Sequence, residues 1–234
     1  MATDVTAELT AIKRSGAHII FTSFSSAVGI YFAKQAGELK IPAVQVGINV
    51  EAEKDGFWEA TKGMGEYVMI LSTYCRGVEA NENTKAFVEG YYKRFGETPT
   101  YTADTYSAIV YTLAPAIEET GSLDPDKIVA FLEEYEHKNA VSTIKYMKDA
   151  QGRTLHDITW GPGYATGIGV QWQDGKLVGV WPYKWKMTPN SPEITYKGTV
   201  PGKIPPSIIK KYQKQDDISR KGARFSLVEA GVLL

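Results

Sequence analysis

The sequence predicts an α/β fold built on a parallel, doubly wound sheet. Three observations carry this reading: helix and strand patterns alternate over residues 3–47, each predicted strand runs into a polar loop, and hairpin signals begin at residue 141. "TDVTAELTAIKRSG" places Val5, Leu9 and Ile12 on one helical face, with Thr3 or Asp4 as N-cap and Gly16 as the stop. "AHIIF" reads as a short buried strand. "SSAVGIYFAKQAGELK" reads as a helix with Val28, Phe32 and Ala36 inward, and "PAVQV" as a second buried strand ending at Gly47. Parallel strands place their C-terminal loops at one crevice, so "TSFSS" and "GINVEAE" are expected to lie close together.

After "YVMILSTYC" the pattern turns helical. "NENTKAFVEGYYKRFG" spaces Phe87, Tyr91 and Phe95 four residues apart and stops at Gly96. The next helix carries Tyr106, Val110 and Ile117 as its apolar face, with a kink at Pro115 and a stop at Gly121. A third starts with Asp124 as N-cap and Pro125 in the first helical position. Two hairpins follow, one turning at Gln151-Gly152 and one at Asp174-Gly175. An α/β, helical, then β order predicts a chain that leaves one lobe, visits another and returns.

Composition narrows the function classes. The 234 residues carry 26 Lys and Arg against 27 Asp and Glu, a formal net charge of -1, so nothing favours nucleic acid or an anionic membrane surface. A diffusible small ligand or a protein partner fits better. The single cysteine, Cys75, rules out an intramolecular disulfide, and with no adjacent base it reads as an inert thiol. "MATDVTAELT" lacks the basic flank and apolar core of a signal peptide, and no apolar run reaches membrane-spanning length.

"FTSFSSAVG" at residues 21–29 is the stretch richest in chemistry. A nucleophile elbow needs Gly-x-Ser-x-Gly, and Phe21 or Ser23 stands where its first glycine belongs. A phosphate loop needs a glycine-rich turn with lysine, which is absent. His18, His137 and His156 are too scattered for a metal site, and no cofactor motif is present. What remains is a polar pocket floor of hydroxyls, backbone amides and a helix start, walled by Phe24, with helix capping by Ser25 and Ser26 as the plainer alternative.

"SGAHIIFTSFSSAVGIYFAKQAGELKIPAVQVGIN" and "TKAFVEGYYKRFGETPTYTADTYSAIVYTLAPAIEETGSLDPDKIVAFLEE" together resemble the branched-chain amino-acid-binding proteins, the type I periplasmic solute-binding proteins of ABC importers. The ordered set of Phe-Val-x-x-Tyr, Phe-Gly-x-x-Pro, a tyrosine-bearing helix and Gly-Ser-x-Asp carries the likeness, which covers residues 3 to about 185. It implies two Rossmann-like α/β lobes with parallel sheets closing on a ligand, and no enzymatic activity. Residues 1–75 then belong to the second lobe, 76–160 to the first-lobe helical segment and hairpin, and 161–212 to the return and a C-terminal extension. Residues 213–234 match nothing in that pattern and read as a tail. The likeness begins well inside the family pattern, so the fold is expected to be N-terminally truncated, without the segment that holds the family's main carboxylate anchor.

The resemblance also implies site residues. Phe24 matches the aromatic lining the cleft, Asn49 the position that anchors the ligand amine, and Tyr101 the aromatic that packs on the ligand side chain. Ser23 and Ser25 flank Phe24. Where the family places an acid this chain has Asn49, and an amide cannot neutralise a buried ammonium. Either Glu51 or Glu53 reaches in, or the ligand is a neutral amide, a urea-like solute or an aromatic acid. Partners implied are that small molecule and ABC permease subunits, in the periplasm or outside the cell. A ligand-sensing regulatory domain of the same fold, and a truncated chain without binding activity, are the alternatives. A sheet edge left open by missing strands predicts self-association.

Overall fold

The computed structural model describes residues 3–210 and 212, so the expected tail at 213–234 lies outside the described residues. Helix α1 (Thr6–Ser15) opens the chain. Asp4 Oδ1 accepts the Thr6 amide at 2.9 Å, and Gly16 closes the helix in the left-handed conformation that glycine adopts without penalty. Strand β1 (Ile19–Phe24), helix α2 (Val28–Glu38) and strand β2 (Val44–Asn49) follow. Val5 and Leu9 of the first segment interlock with Phe32 and Ala36 of α2, which clamps both helices over the Ile20 and Phe24 side of the sheet. Gln35 fixes the join: its Oε1 accepts the Val5 amide at 2.8 Å, and its Nε2 donates to the Thr3 carbonyl at 2.8 Å.

A 3-10 turn over Val50–Glu53 and the short helix α3 (Phe57–Ala60) lead to β3 (Met69–Ser72). Helix α4 (Thr84–Phe95) stops at a left-handed Gly96. Beyond it come a 3-10 turn at Tyr101–Ala103, helices α5 (Asp104–Ala108), α6 (Ala114–Thr120) and α7 (Pro125–Leu132), and a wide π-type turn at Ile109–Leu113. The wide turn sits directly before Pro115, whose missing N–H and bulky ring prevent a regular helical turn there. Asp124 caps α7 by accepting the Asp126 amide at 3.0 Å. Two small ribbons follow, β4 (His137–Lys138) with β5 (Thr143–Ile144), and β6 (Tyr146–Lys148) with β7 (Thr154–Ile158). Strands β8 (Ile168–Gln173) and β9 (Lys176–Trp181) follow, and residues 206–210 are helical.

The main sheet runs β1-β2-β3-β8-β9. Its first three strands are parallel, as expected; β8 and β9 are antiparallel, so the sheet is mixed rather than wholly parallel. The cause is local. Asp174 and Gly175 both take positive φ, 53° and 77°, the geometry of a two-residue hairpin that can join only antiparallel strands. The helical segment has no sheet of its own among the described residues beyond the two ribbons.

Ile70, Val170, Trp172 and Phe57 make the centre of the core, and full burial of each such side chain contributes roughly 1.5–3 kcal/mol. The opposite face is covered over β8 by residues 199–203, where Gln171 Oε1 accepts the Lys203 amide at 2.8 Å. Over β1–β3 no described residue covers that face, and Ile19, Phe21, Ile48 and Leu71 lie open. Two expectations fail on the helical segment: Tyr106 and Val110, taken as its inward face, are both 57 % exposed. The buried positions there are Ala103, Ser107 and Ala116; the first two pack on Tyr74 and Ala140.

Candidate functional site

Parallel pairing brings the C-terminal ends of β1, β2 and β3 to one edge of the sheet, which collects Phe24, Asn49 and Ser72. The helical segment lies across that edge and is tied to it by four hydrogen bonds. Asp55 accepts both the Thr98 amide at 2.9 Å and its hydroxyl at 3.0 Å. Glu53 Oε2 accepts the Tyr101 amide at 3.2 Å, and Thr73 Oγ1 donates to Asp104 at 3.1 Å.

Glu53 is the chemical centre of this junction. It ends the 3-10 turn after β2 and is 5 % exposed. Burial raises its carboxyl to about 7, helped by the Asp104 charge and opposed by the Tyr101 amide and the Ser72 hydroxyl. Asp104 is exposed as a residue, but partial desolvation of its carboxyl raises it, opposed by Tyr74 and Thr73. The Tyr74 phenol, buried beside Asp104 and Ser107, is pushed far above its ordinary value by burial first, and its hydroxyl makes no hydrogen bond of full geometry. A buried carboxyl, a second acid and a buried phenol therefore lie together where two parts of the chain meet. Such an arrangement accepts hydrogen bonds from a cationic or strongly donating group, or holds a proton in its place.

The residues expected at the site fall into two sets. Tyr101 joins the Glu53 junction through its backbone, and its ring is half-exposed. Phe24, at the end of β1, is half-buried and packs on Phe32 at 5.0 Å. Asn49 is 1 % exposed and turned under α2, where its Nδ2 donates to the Gly29 carbonyl at 3.2 Å. Glu51 turns to Lys54, with a 2.9 Å ion pair. Ser23 and Ser25 are exposed, and no side chain caps α2. Trp58 stacks on Trp172 at 6.1 Å near Gly175, at the opposite end of the sheet from these loops.

Of the two acids in the turn, Glu51 pairs with Lys54 three residues on, while Glu53 turns to the junction and accepts the Tyr101 amide. Asp104 and Tyr74 carried no signal of their own, since each becomes chemical only through the other. Elsewhere, His137 is occupied by Thr112 Oγ1 at 2.7 Å and stacked on Tyr135, which makes it a packed histidine. Among the described residues no group of three His, Cys, Asp or Glu side chains could hold a metal, and no helix is long and apolar enough to cross a membrane.

Several solved structures share this architecture. A leucine-binding protein from Thermotoga maritima is 21% identical, with 76% of this chain and 48% of that one covered at a TM-score of 0.56. A branched-chain amino acid transporter substrate-binding protein from Streptococcus pneumoniae, solved with isoleucine, is 18% identical over 75% of this chain and 47% of its own, TM-score 0.53. A solute-binding protein from R. palustris, solved with benzoate, is 14% identical over 85% and 50%, TM-score 0.51. The chain thus spans about half the length of each, and at these identities the likeness is one of fold. No curated protein matches. Residues 1–161 match the model of the periplasmic binding protein family, well over half of the chain, on the type I fold of strands and crossover helices seen here. The chain belongs to the periplasmic binding protein family.

Proposed function

We propose that this chain is the substrate-binding part of an ABC importer, working in the periplasm with permease subunits and holding a small amino-acid-like or amide-like solute. The solute sits between the strand ends of β1–β3 and the segment 98–108. The observation that carries the reading is Glu53: a buried carboxyl at a strand end, shared with the facing segment through Tyr101, with no ion pair of its own among the described residues. As a carboxylate it accepts from a ligand ammonium; as the neutral acid, which a value of about 7 makes accessible, it donates to an amide carbonyl. The Tyr101 ring then covers the apolar part of the solute. The isoleucine and benzoate of two structural neighbours support a ligand of this size.

A thermal-shift screen of the purified chain against neutral amino acids, small amides and aromatic acids tests the proposal. At a hundredfold excess over Kd a ligand stabilises by roughly 2.7 kcal/mol, which for a chain of this size is about 5–10 °C. One responding class supports the reading and names the ligand chemistry. A cooperative melt that no class moves contradicts it.

A further inference from the structure

Three side chains follow one another at the junction: Glu53, Tyr101 and Asp104. Glu53 Oε2 accepts the Tyr101 amide at 3.2 Å, which sets this carboxyl at the start of the turn Tyr101–Ala103. The turn is of the 3-10 type, in which residues three apart lie one above the other, so the Tyr101 ring and the Asp104 carboxyl share one face of it. Both residues are exposed.

Asp104 is held in place without being neutralised. Thr73 Oγ1, just past the end of β3, donates to its Oδ2 at 3.1 Å. Among the described residues no lysine, arginine or histidine forms an ion pair with Asp104 or Glu53, and Lys54, adjacent to Glu53 in sequence, is taken by Glu51. Beneath Asp104 the Tyr74 ring, 1 % exposed, packs on Ala103, and its hydroxyl makes no hydrogen bond of full geometry. An open carboxylate with no counter-charge, an aromatic ring on the same face and a buried hydroxyl with bonding capacity to spare suit one kind of group. That group is an ammonium or guanidinium, which the acid attracts and the ring face stabilises.

The inference rests on the binding reading above, in which Glu53 takes the ligand ammonium and Tyr101 covers the apolar part of the solute. Asp104 is the next side chain on that face. We propose that Asp104 sets the class of the solute: an amino acid whose side chain ends in a cation, in preference to one whose side chain is wholly apolar. An apolar side chain would displace water from Asp104 and leave it without a partner, whereas a terminal cation supplies one.

Lysine and norleucine share a four-carbon stem, and only lysine ends it in an ammonium. Isothermal titration of the full chain with each amino acid, in the wild type and in D104N, tests the inference. The wild type should bind lysine about tenfold or more tightly than norleucine, the contribution of one charge-assisted hydrogen bond. D104N keeps the size of the side chain and an oxygen for the Thr73 hydroxyl but loses the charge, and should abolish the preference; Asp104→Ala gives the same readout if D104N does not fold. Norleucine bound as tightly as lysine by the wild type overturns the inference while the binding reading stands, and so does a lysine preference that survives loss of the Asp104 charge. If the folded wild type binds neither amino acid, the inference and the binding reading fall together.

Discussion

The indole Nε1 of Trp172 donates to the Ala52 carbonyl at 2.9 Å. This bond joins residues 120 positions apart and pins the late β8 strand to the turn that aims Glu53. Trp172→Phe keeps a ring in the core but leaves the buried Ala52 carbonyl without this donor. The variant should lose about 1–3 kcal/mol in urea unfolding, beyond what the smaller ring costs by itself. A loss confined to a few tenths would show that the bond does not hold the turn.

Asn49 occupies the space that a side chain on Gly29 would need: a Cβ at Gly29 would lie 2.1 Å from Asn49 Oδ1. Gly29→Ala should therefore destabilise by about 1–3 kcal/mol, the range for overpacking a core. In the Asn49→Ala background the same change should cost much less, since the obstructing amide is gone. Equal costs in the two backgrounds, measured by a double-mutant cycle, would remove Asn49 from its role as a strut under α2.

Cys75 is 1 % exposed, and burial pushes its thiol up to about 12. A protonated, covered thiol is a poor nucleophile. Alkylation near neutral pH should be slow in the native protein and fast in denaturant; prompt labelling of the native chain would place Cys75 in an open, activated setting.

The bare face of β1–β3 predicts association. Ile19 is 65 % and Phe21 75 % exposed, on a strand at the edge of the sheet among the described residues. The chain should run as a dimer or larger species in light scattering, and Phe21→Asp should shift it to monomer without lowering its melting temperature. A monodisperse wild-type monomer would contradict this.

Local signals in the sequence were read well because single residues decide them. Gly16, Gly96 and Gly121 end helices in the left-handed region, Asp124 caps, and Asp174-Gly175 turns a hairpin. The site was harder. "VEAE" offers two acids, and only the 3-10 turn, with Glu51 matched to Lys54 three residues on, sends Glu53 to the junction. Asn49 follows a strand pattern that cannot show whether its amide faces the cleft or α2; the close approach of Gly29 decides that. Tyr106 and Val110 carry an apolar helical face, but periodicity records which residues share a face, and the partner of that face lies elsewhere.

Glu53 and Tyr101 are proposed to bind a small solute between the strand ends and the facing segment. Isothermal titration with isoleucine, on the wild type, E53Q, Tyr101→Ala and Glu51→Gln, tests it most directly. The account predicts saturable binding by the wild type, at least about tenfold weaker binding in E53Q and Tyr101→Ala, and unchanged binding in Glu51→Gln. Equal affinity in the wild type and E53Q, or no heat of binding from the folded wild type, would contradict it.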